Sequence, residues 1–111
     1  MAYDACLADR VRDLIAPGPD VSEIEMFGGL AFLISGNMAV TVSRQGGLML
    51  RVDPQQTDTL LSEPSAAPMV MRGRTMDGWL RVAAEGVKTK AQLQRWVDRG
   101  VGYARTLPPK G

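Results

Sequence analysis

The side chains that most often carry out chemistry in proteins are scarce in this chain. It has no histidine and a single cysteine, Cys6. Without histidine a Ser-His-Asp or Cys-His catalytic arrangement cannot form, and the commonest ligand of transition metals is missing. One cysteine excludes a CxxC redox motif and a thiolate metal cluster. We therefore predict no catalytic residue, no metal site and no cofactor.

Carboxylates are the remaining candidates for acid–base catalysis. Glu23 and Glu25 lie two residues apart on a predicted strand and therefore share one face, which we expect to be the solvated one. Asp53 is better placed to cap a helix. Asp77 precedes a glycine in a predicted turn, where aspartate often bonds to the backbone. None of these four has an evident acidic or basic partner, so the sequence does not favour catalysis by a carboxylate pair.

Arginine provides the best candidates for binding an anion. The segment Arg-Gly-Arg-Thr places two guanidinium groups, those of Arg72 and Arg74, and a hydroxyl on one predicted turn. A solvated hairpin turn is the simpler explanation of this segment, and we favour it. Arg95 and Arg99 on the basic last helix are further candidate contacts for an anion or a partner.

The composition is that of an ordinary globular protein, with 45% hydrophobic and 23% charged residues. At 111 residues the chain can bury about two-thirds of its unfolded surface, so we predict one domain over residues 1–111. A single cysteine cannot form an internal disulfide. The apolar runs are shorter than the ~20 residues that are needed to span a bilayer, and the sequence does not begin with the pattern of a signal peptide. We therefore expect a cytoplasmic protein with no membrane partner.

Charge is distributed unevenly although the formal net charge is only +1. Residues 1–25 carry six acidic residues and two arginines, a net charge of −4, whereas residues 87–111 carry six basic residues and one aspartate, a net charge of +5. Two terminal helices of opposite sign that lie near each other would explain this pattern, and we favour that explanation. The alternative is a basic face for an acidic partner or a phosphate backbone.

The first element is predicted to be an amphipathic helix over residues 2–15. Its apolar face consists of Tyr3, Leu7, Val11 and Leu14. A Pro-Gly-Pro sequence then ends the helix. Cys6 adjoins the apolar face, and we expect this thiol to be a small buried hydrophobe rather than a reactive group.

Four strands follow, joined by short glycine-containing turns into an antiparallel meander. Their apolar patterns predict strands over residues 22–27, 30–34, 38–43 and 48–52. Gly28-Gly29 lacks the spacing of a phosphate loop and precedes a strand, so we expect a bend or bulge there. Gly36-Asn37 fits a two-residue hairpin loop because both residues tolerate a positive φ.

The second half of the chain is predicted to add a helix, two strands and a last helix. Asp53, followed by proline and two glutamines, predicts a short helix that ends before Pro64. Residues 69–71 and 79–84 are predicted strands, connected by residues 72–78.

The last helix has the clearest signals. Thr89 and Gln92 form a capping box, and a proline pair ends the helix. Its apolar face is formed by Leu93, Trp96, Val97, Val101 and Ala104. Gly100 and Gly102 inside it each cost roughly 1 kcal/mol relative to alanine, so we expect another backbone to pack closely there.

This order of elements predicts helices on one face of the sheet, since each helix must bury its apolar stripe. The other face is then either polar or covered by a partner.

Trp79 and Trp96 are expected in the core between the last strand and the last helix. The methionines on predicted strands are expected to be mostly core filler, although methionine-rich surfaces also bind partners adaptably. They are Met26, Met38, Met49, Met69 and Met71.

Four segments resemble the N-terminal domain of the TfoX/Sxy family, regulators linked to bacterial natural competence. They are MFGGLAFLISGNMA (26–39), LMLRV (48–52), GRTMDGWLRV (73–82) and WVDRGVGYARTLPPK (96–110). The similarity covers nearly the whole chain. The family-motif residues in these segments are structural rather than chemical: Met26, Phe27, Gly28, Gly29, Gly36, Trp79 and Trp96.

The resemblance implies a two-layer α+β fold similar to type III secretion chaperone-like and YgaC-like domains. It also implies a bacterial, cytoplasmic, non-enzymatic protein that acts in transcription by contacting other regulators. No catalytic residue belongs to the family pattern. Full-length members carry a second, C-terminal helical domain that this sequence does not contain, so we expect a stand-alone N-terminal domain.

Three functional hypotheses remain. The leading one is a small regulatory or protein-interaction module that forms a homodimer, binds a protein such as a transcription regulator, or does both. The second is direct nucleic-acid binding by the basic last helix together with Arg72 and Arg74. The third is an enzyme or small-molecule binder, which requires a deep pocket with convergent polar groups.

Overall fold

The computed structural model describes residues 4–15, 20–26, 28–44 and 46–109. Within them, the elements follow the predicted order of helix, four strands, helix, two strands and helix. The helices are α1 (Ala5–Leu14), α2 (Thr57–Leu61) and α3 (Lys90–Thr106). The strands are β1 (Val21–Met26), β2 (Gly29–Ile34), β3 (Asn37–Val42), β4 (Leu48–Arg51), β5 (Ala66–Met71) and β6 (Arg74–Val82). Short 3₁₀ helices, Pro54–Gln56 and Ala84–Val87, precede α2 and α3.

All of these strands join one antiparallel sheet in the order β1-β2-β3-β4-β6-β5. The first four form the predicted meander. After α2 the chain enters the sheet at the far edge as β5, and β6 then returns to pair with β4. The predicted α+β class is therefore confirmed, with β1 and β5 as the two edge strands.

Helix α1 begins three residues later than predicted. Asp4 caps it by accepting a hydrogen bond from the backbone N–H of Leu7 at 3.1 Å. Leu7 and Val11 are buried and Leu14 is half-buried, as the helical spacing predicts. Tyr3, the fourth member of the predicted apolar face, lies outside the described residues.

Cys6 is exposed, so the prediction of a buried thiol is wrong. The buried stripe of α1 runs through Leu7, Ala8 and Val11. At about 100° per residue, Val11 shifts the centre of the buried stripe from Leu7 toward Ala8, which lies about 80° from that centre, whereas Cys6 lies about 120° from it.

The loop between β2 and β3 lies one residue earlier than predicted. It consists of Ser35-Gly36, with φ values of 51° and 83°, and Ile34 pairs with Asn37 across it. Two positive φ angles are typical of the type I′ turns that match the twist of a hairpin. Asn37 is buried in β3, and its side-chain amide donates a hydrogen bond to the carbonyl oxygen of Pro108 at 2.9 Å. This contact ties the segment after α3 to the sheet.

The glycine pair before β2 has a geometric role, as predicted. Gly28 lies in the turn with a φ of 77°. Gly29 begins β2, and a Cβ there would lie only 2.6 Å from the carbonyl oxygen of Val42. Both positions therefore exclude larger residues for backbone reasons.

The hairpin of β5 and β6 is longer and tighter than predicted. Its loop is Arg72-Gly73 alone, again with two positive φ angles, 54° and 78°. Met71 pairs with Arg74 across the loop, so the predicted seven-residue connection is wrong. The strand begins earlier because Arg74 and Thr75 pair with Met71 and Val70, and Gly78 forms hydrogen bonds with Val52 and Thr57.

The caps of the later helices are confirmed. Asp53 accepts a hydrogen bond from the backbone N–H of Gln55 at 2.9 Å, at the start of the 3₁₀ helix that leads into α2. Thr89 and Gln92 form both hydrogen bonds of the capping box, each at 3.1 Å. These contacts join residues within three positions, which is why the sequence predicts them.

The two glycines of α3 have different surroundings. At Gly100 a Cβ would lie 2.7 Å from the carbonyl oxygen of Ala39, so α3 packs directly against the backbone of β3, as predicted. At Gly102 a Cβ would have no neighbouring atom within 4 Å, and the residue is exposed. The prediction of close backbone packing is therefore wrong for Gly102.

One hydrophobic core lies between the sheet and the helices. Trp96 of α3 is 2% exposed and belongs to it, as predicted, together with Val11 of α1 and Leu60 of α2. In the described part of the chain, no helix is long and apolar enough to cross a membrane.

Candidate interaction surface on the open face of the sheet

The strand register assigns residues to the two faces of the sheet. Directly paired residues share a face, and the faces alternate along each strand. Two successive rows face the helices and are buried in the core. They are Leu30, Val42, Leu48 and Val82, and Phe32, Val40, Leu50 and Leu80.

The residues between these rows point to the opposite side, which we call the open face. They are Ser22, Ile24, Ala31, Leu33, Met38, Thr41, Ser43, Met49, Arg51, Ala67, Trp79 and Arg81. None of them belongs to the core cluster that the described helices share with the sheet. This holds even for Ala31, which is 0% exposed. The open face is therefore a second surface of the sheet that no described helix covers.

The part of the open face on β1 to β4, Arg51 apart, is mainly apolar, although Ser22, Thr41 and Ser43 also belong to it. Leu33, Met38 and Met49 are half-buried and Ile24 is 46% exposed. Thr41 lies among them and is 1% exposed; its hydroxyl has no hydrogen-bond partner among the described residues. An antiparallel sheet with one solvated face normally carries polar residues there. The open face therefore carries more apolar residues than the solvated face of such a sheet normally does.

The part of the open face on β4 and β6 carries two arginines and a tryptophan. Arg51 pairs with Trp79 across the strands, and its guanidinium carbon lies 5.7 Å from the centre of the indole ring. The guanidinium of Arg81 donates a hydrogen bond to Ser43 Oγ at 3.4 Å. The prediction that Trp79 lies in the core is wrong, because strand alternation puts it opposite the buried Leu80.

Glu23 and Glu25 share a face as predicted, but it is the one that faces the helices. Glu23 pairs with Phe32 in the register and meets Arg12 of α1 through two hydrogen bonds of 2.7 and 2.8 Å. These bonds lower the pKa of the Glu23 carboxyl and raise the pKa of Arg12. The carboxylates remain exposed because β1 is an edge strand, and the apolar Ile24 is left on the open face.

The candidate anion-binding arginines do not form one cluster. Arg72 and Arg74 are exposed at the hairpin end of β5 and β6, at one edge of the sheet. Helix α3, which carries Arg95 and Arg99, packs against the central strands β2, β3 and β4. Arg95 is exposed on that helix.

Arg99 already has partners within the chain. Its guanidinium forms an ion pair with Glu63 and lies 4.6 Å from the ring centre of Trp96. Arg105 of the same helix lies 3.9 Å from Asp20. Intramolecular carboxylates therefore offset part of the basic charge of α3.

The two terminal helices also lie close together in the fold. Helices α1 and α3 pack against each other, and the Arg10 side chain donates to the carbonyl oxygens of Val87 and Lys88 just before α3. This agrees with the interpretation that oppositely charged terminal helices lie close together.

A groove of about 330 Å³ lies between α3 and the segment around α2. It is lined by Val52, Asp53, Gln56, Leu60, Asp98, Arg99, Gly102, Tyr103 and Thr106. Its charged groups are engaged within the chain: Asp53 caps a helix, Asp98 accepts from Gln94, and Arg99 pairs with Glu63. In the described part of the chain, no group of three or more potential metal ligands lies together. The groove is therefore a weaker candidate than the open face.

Comparison with known families matches this chain to the model of the TfoX N-terminal domain over residues 13–104. The chain belongs to the TfoX N-terminal domain family. No curated protein and no solved structure gives a significant match.

The motif residues of this TfoX N-terminal domain divide between the two layers. Trp96 is in the core, Trp79 is on the open face, and Gly36 has the positive φ of a hairpin loop. Gly28 and Gly29 have the backbone roles given above. Met26 ends β1, whereas Phe27 lies outside the described residues. The open-face arginines Arg51 and Arg81 are not among the site residues predicted from the sequence. Each alternates along its strand with buried leucine or valine, which is the sequence signal for a residue on the opposite face.

Proposed function

We propose that this protein is a non-enzymatic regulatory module that acts by binding other proteins through the open face of its sheet. Membership of the TfoX N-terminal domain family supports a role related to competence or transcriptional regulation. We place this activity in the bacterial cytoplasm. The partner class is a second copy of the chain or another regulatory protein.

The observation that carries the proposal is the apolar character of the open face. The half-buried leucine and methionine side chains of the face would gain about 25 cal/mol for each Å² of apolar surface that a partner removes from water. Leu33 pairs with Met38 on this face, and Met49 pairs there with Thr41. Methionine adapts its shape to different partners, and apolar residues grouped on one surface are typical of an interaction site.

The arrangement of the ionisable groups supports a function without catalysis. Glu23 is held by Arg12, Asp53 caps a helix, and Glu63 pairs with Arg99. These carboxylates contribute to the fold at separate places, and the chain has no histidine to act with them.

Site-specific photo-cross-linking in the native cell tests the proposal. A photoreactive residue placed at Met49, on the open face, is expected to form covalent adducts with protein partners. The same residue placed at Arg95, exposed on the helical side, is the matched control. Equal adducts at both positions, or none at Met49, would contradict the proposal.

The regulatory part of the proposal needs a separate readout. Transcript profiles of a deletion strain are expected to return to normal with the wild-type chain but not with Met49→Lys, which charges the open face. Circular dichroism would confirm that the variant folds. Full complementation by Met49→Lys would show that regulation does not use this surface.

Nucleic-acid binding is a second candidate function because Trp79 lies beside Arg51 on the open face. An aromatic ring with neighbouring arginines stacks on unpaired bases. The aliphatic side chains on the rest of the face offer no further stacking, so protein binding is favoured. Titration of labelled single-stranded and duplex DNA at low and high salt distinguishes the two, since phosphate contacts weaken steeply with salt.

A further inference from the structure

We propose that β1 accepts an extended segment of a partner protein as an additional strand of the sheet. The backbone of β1 supplies hydrogen bonds to that segment, and its side chains select one in which basic residues alternate with apolar residues. This inference goes beyond the proposed function, because it assigns a second interaction site, at the edge of the sheet rather than on its open face.

The backbone of β1 has one side that β2 does not use. The N–H of Ser35 donates to the carbonyl oxygen of Asp20 at 2.7 Å, so these residues form a hydrogen-bonded pair. Bonded and non-bonded pairs alternate along an antiparallel ladder, and the register of β1 with β2 contains no shift. The N–H and C=O groups of Val21, Glu23 and Glu25 therefore point away from β2. In the described part of the chain, no other group bonds to them.

The other edge strand, β5, is poorly suited to such an addition. The N–H of Ala83 donates to the carbonyl oxygen of Ser65 at 2.9 Å. By the same alternation, Ala66 and Pro68 direct their backbone away from β6. The N–H of Ala66 is bonded to the carbonyl oxygen of Glu63 at 3.1 Å, and Pro68 has no N–H to donate. The pairing of β5 also becomes irregular after Pro68; proline and irregular pairing commonly protect an edge strand, and β1 has neither.

The side chains of β1 set the chemistry of the added strand. Residues 22–25 are all exposed, with Ile24 at 46%. Glu23 and Glu25 lie on one face of the sheet and Ile24 on the other, and directly paired residues share a face. A segment with Lys or Arg opposite the glutamates and an apolar residue opposite Ile24 therefore matches both faces. Cross-strand pairs of opposite charge and of apolar side chains each stabilise a sheet.

Glu25 is the main acidic contact for such a segment. Arg12 forms ion pairs with both Asp9 and Glu23, at 2.6 and 2.7 Å. Among the described residues, no cation lies within ion-pair distance of Glu25. Two of these carboxylates thus share one guanidinium and the third is left for a partner. The resulting excess of negative charge beside β1 attracts a basic segment.

A second copy of this chain fits the edge of β1 poorly. Two copies of β1 related by a two-fold axis pair most completely in two registers, centred on Glu23 or on Ile24. The first register sets Glu23 opposite Glu23 of the other copy, and the second sets it opposite Glu25. Like charges directly opposite each other destabilise a sheet. The acidic residues therefore disfavour self-pairing and favour a different, basic segment.

Selection of peptides against the full chain tests this inference. Random peptides of about ten residues, long enough to cover the six residues of β1, are displayed on phage and selected against the wild type. The affinity of the best peptide is then measured for the wild type, Glu25→Pro and Glu25→Thr. Proline removes an outward N–H without breaking a bond to β2, whereas threonine keeps this N–H and is the matched control. Circular dichroism and thermal unfolding show whether both variants fold.

We expect enriched peptides in which Lys or Arg alternates with apolar residues. The best peptide should bind Glu25→Thr about two- to fivefold more weakly than the wild type, since one exposed ion pair is lost. It should bind Glu25→Pro about tenfold more weakly than Glu25→Thr, because a backbone hydrogen bond is lost as well and the proline ring obstructs the added strand. Rising salt should weaken binding to the wild type more than binding to Glu25→Thr.

Amide hydrogen exchange of the wild type gives a second readout that needs no variant, and it decides the matter if Glu25→Pro does not fold. The bound peptide should slow exchange at the N–H groups of Glu23 and Glu25 more than at Ile24, whose N–H already faces β2. Unchanged exchange at both glutamates would show that the peptide does not pair with this edge.

Four further results would overturn the inference. They are the absence of enriched peptides, enrichment without alternating basic residues, equal affinity for the folded proline and threonine variants, and a wild-type dimer that Glu25→Pro converts to a monomer. If adducts form at Met49 in cells while these peptides fail, this inference fails and the proposed function stands. If the peptides bind as expected while Met49 forms no adducts, the proposed function fails and the site on β1 stands.

Discussion

Replacing Gly100 with alanine is expected to destabilise the fold, and Gly102→Ala is the matched control on the same helix. A Cβ at Gly100 would lie 2.7 Å from the carbonyl oxygen of Ala39, 3.1 Å from Val40 Cγ2 and 3.2 Å from Leu50 Cδ2. The first distance is shorter than van der Waals contact allows. Because it involves the backbones of α3 and β3, the helix must move away from the sheet to make room.

Two opposing effects set the magnitude. Alanine in a helix interior is more favourable than glycine by roughly 1 kcal/mol, and overpacking a core costs about 1–3 kcal/mol. At Gly102 a Cβ has no neighbour within 4 Å, so only the gain applies there. The gain is common to both variants and cancels between them. Their free energies of unfolding should therefore differ by about 1–3 kcal/mol, or roughly 4–12 °C in Tm, with Gly102→Ala the more stable.

Urea unfolding followed by far-UV circular dichroism, together with thermal unfolding, measures both variants against the wild type. Equal slopes of free energy against urea would show that the comparison reports stability alone. If Gly100→Ala proves as stable as Gly102→Ala, α3 does not pack against β3 as closely as described, and the reasoning is refuted.

Three further predictions concern a turn, a buried amide and an ion pair. Arg72→Asn should raise Tm by a few degrees, because asparagine adopts the positive φ of 54° at this loop position more readily than arginine; an unchanged or lower Tm would contradict this. Asn37→Ala should lower the free energy of unfolding by about 1–2 kcal/mol, since it removes the hydrogen bond to the Pro108 carbonyl, and it should speed proteolysis after α3; a variant with unchanged stability and protease resistance would count against the contact. Glu23→Gln should destabilise the protein at neutral pH, and its difference from wild type in urea unfolding should shrink as the pH falls. The pKa of Glu23 is lowered in the folded state, so its contribution is fully present above the unfolded value of about 4.5 and is lost as pH falls through the folded value. A difference that stays constant down to acidic pH would refute this assignment.

The helix caps were predictable because they depend on residues a few positions apart. Asp53 and Thr89 have both the residue type and the following glutamine that these caps require. The hairpin loops were less predictable, since Ser35 and Arg72 adopt positive φ angles that their residue types disfavour. Strand pairing on both sides fixes these loops, and a local pattern does not contain that information.

The candidate surface was predictable only in outline. The sequence indicated that one face of the sheet would be left without helices. It also assigned Trp79 to the core, and it placed Glu23 and Glu25 on the solvated face rather than on the face toward the helices. Alternation divides a strand into two faces without saying which face the helices cover. The burial of Leu80 and the contact between Glu23 and Arg12 answer that question in the structure.

The sequence by itself determined the order of the elements, the α+β class and the family, because periodicity, caps and glycine turns are local properties. Only the tertiary structure decided the layout of the sheet, with β6 between β4 and β5, and hence which side chains share the open face. Arg51 and Trp79 are 28 positions apart in the sequence, and they become neighbours only because β4 pairs with β6. This pairing joins segments that are far apart in the sequence, with α2 packed on β5 and β6 and α3 on β2, β3 and β4, and no local pattern encodes it.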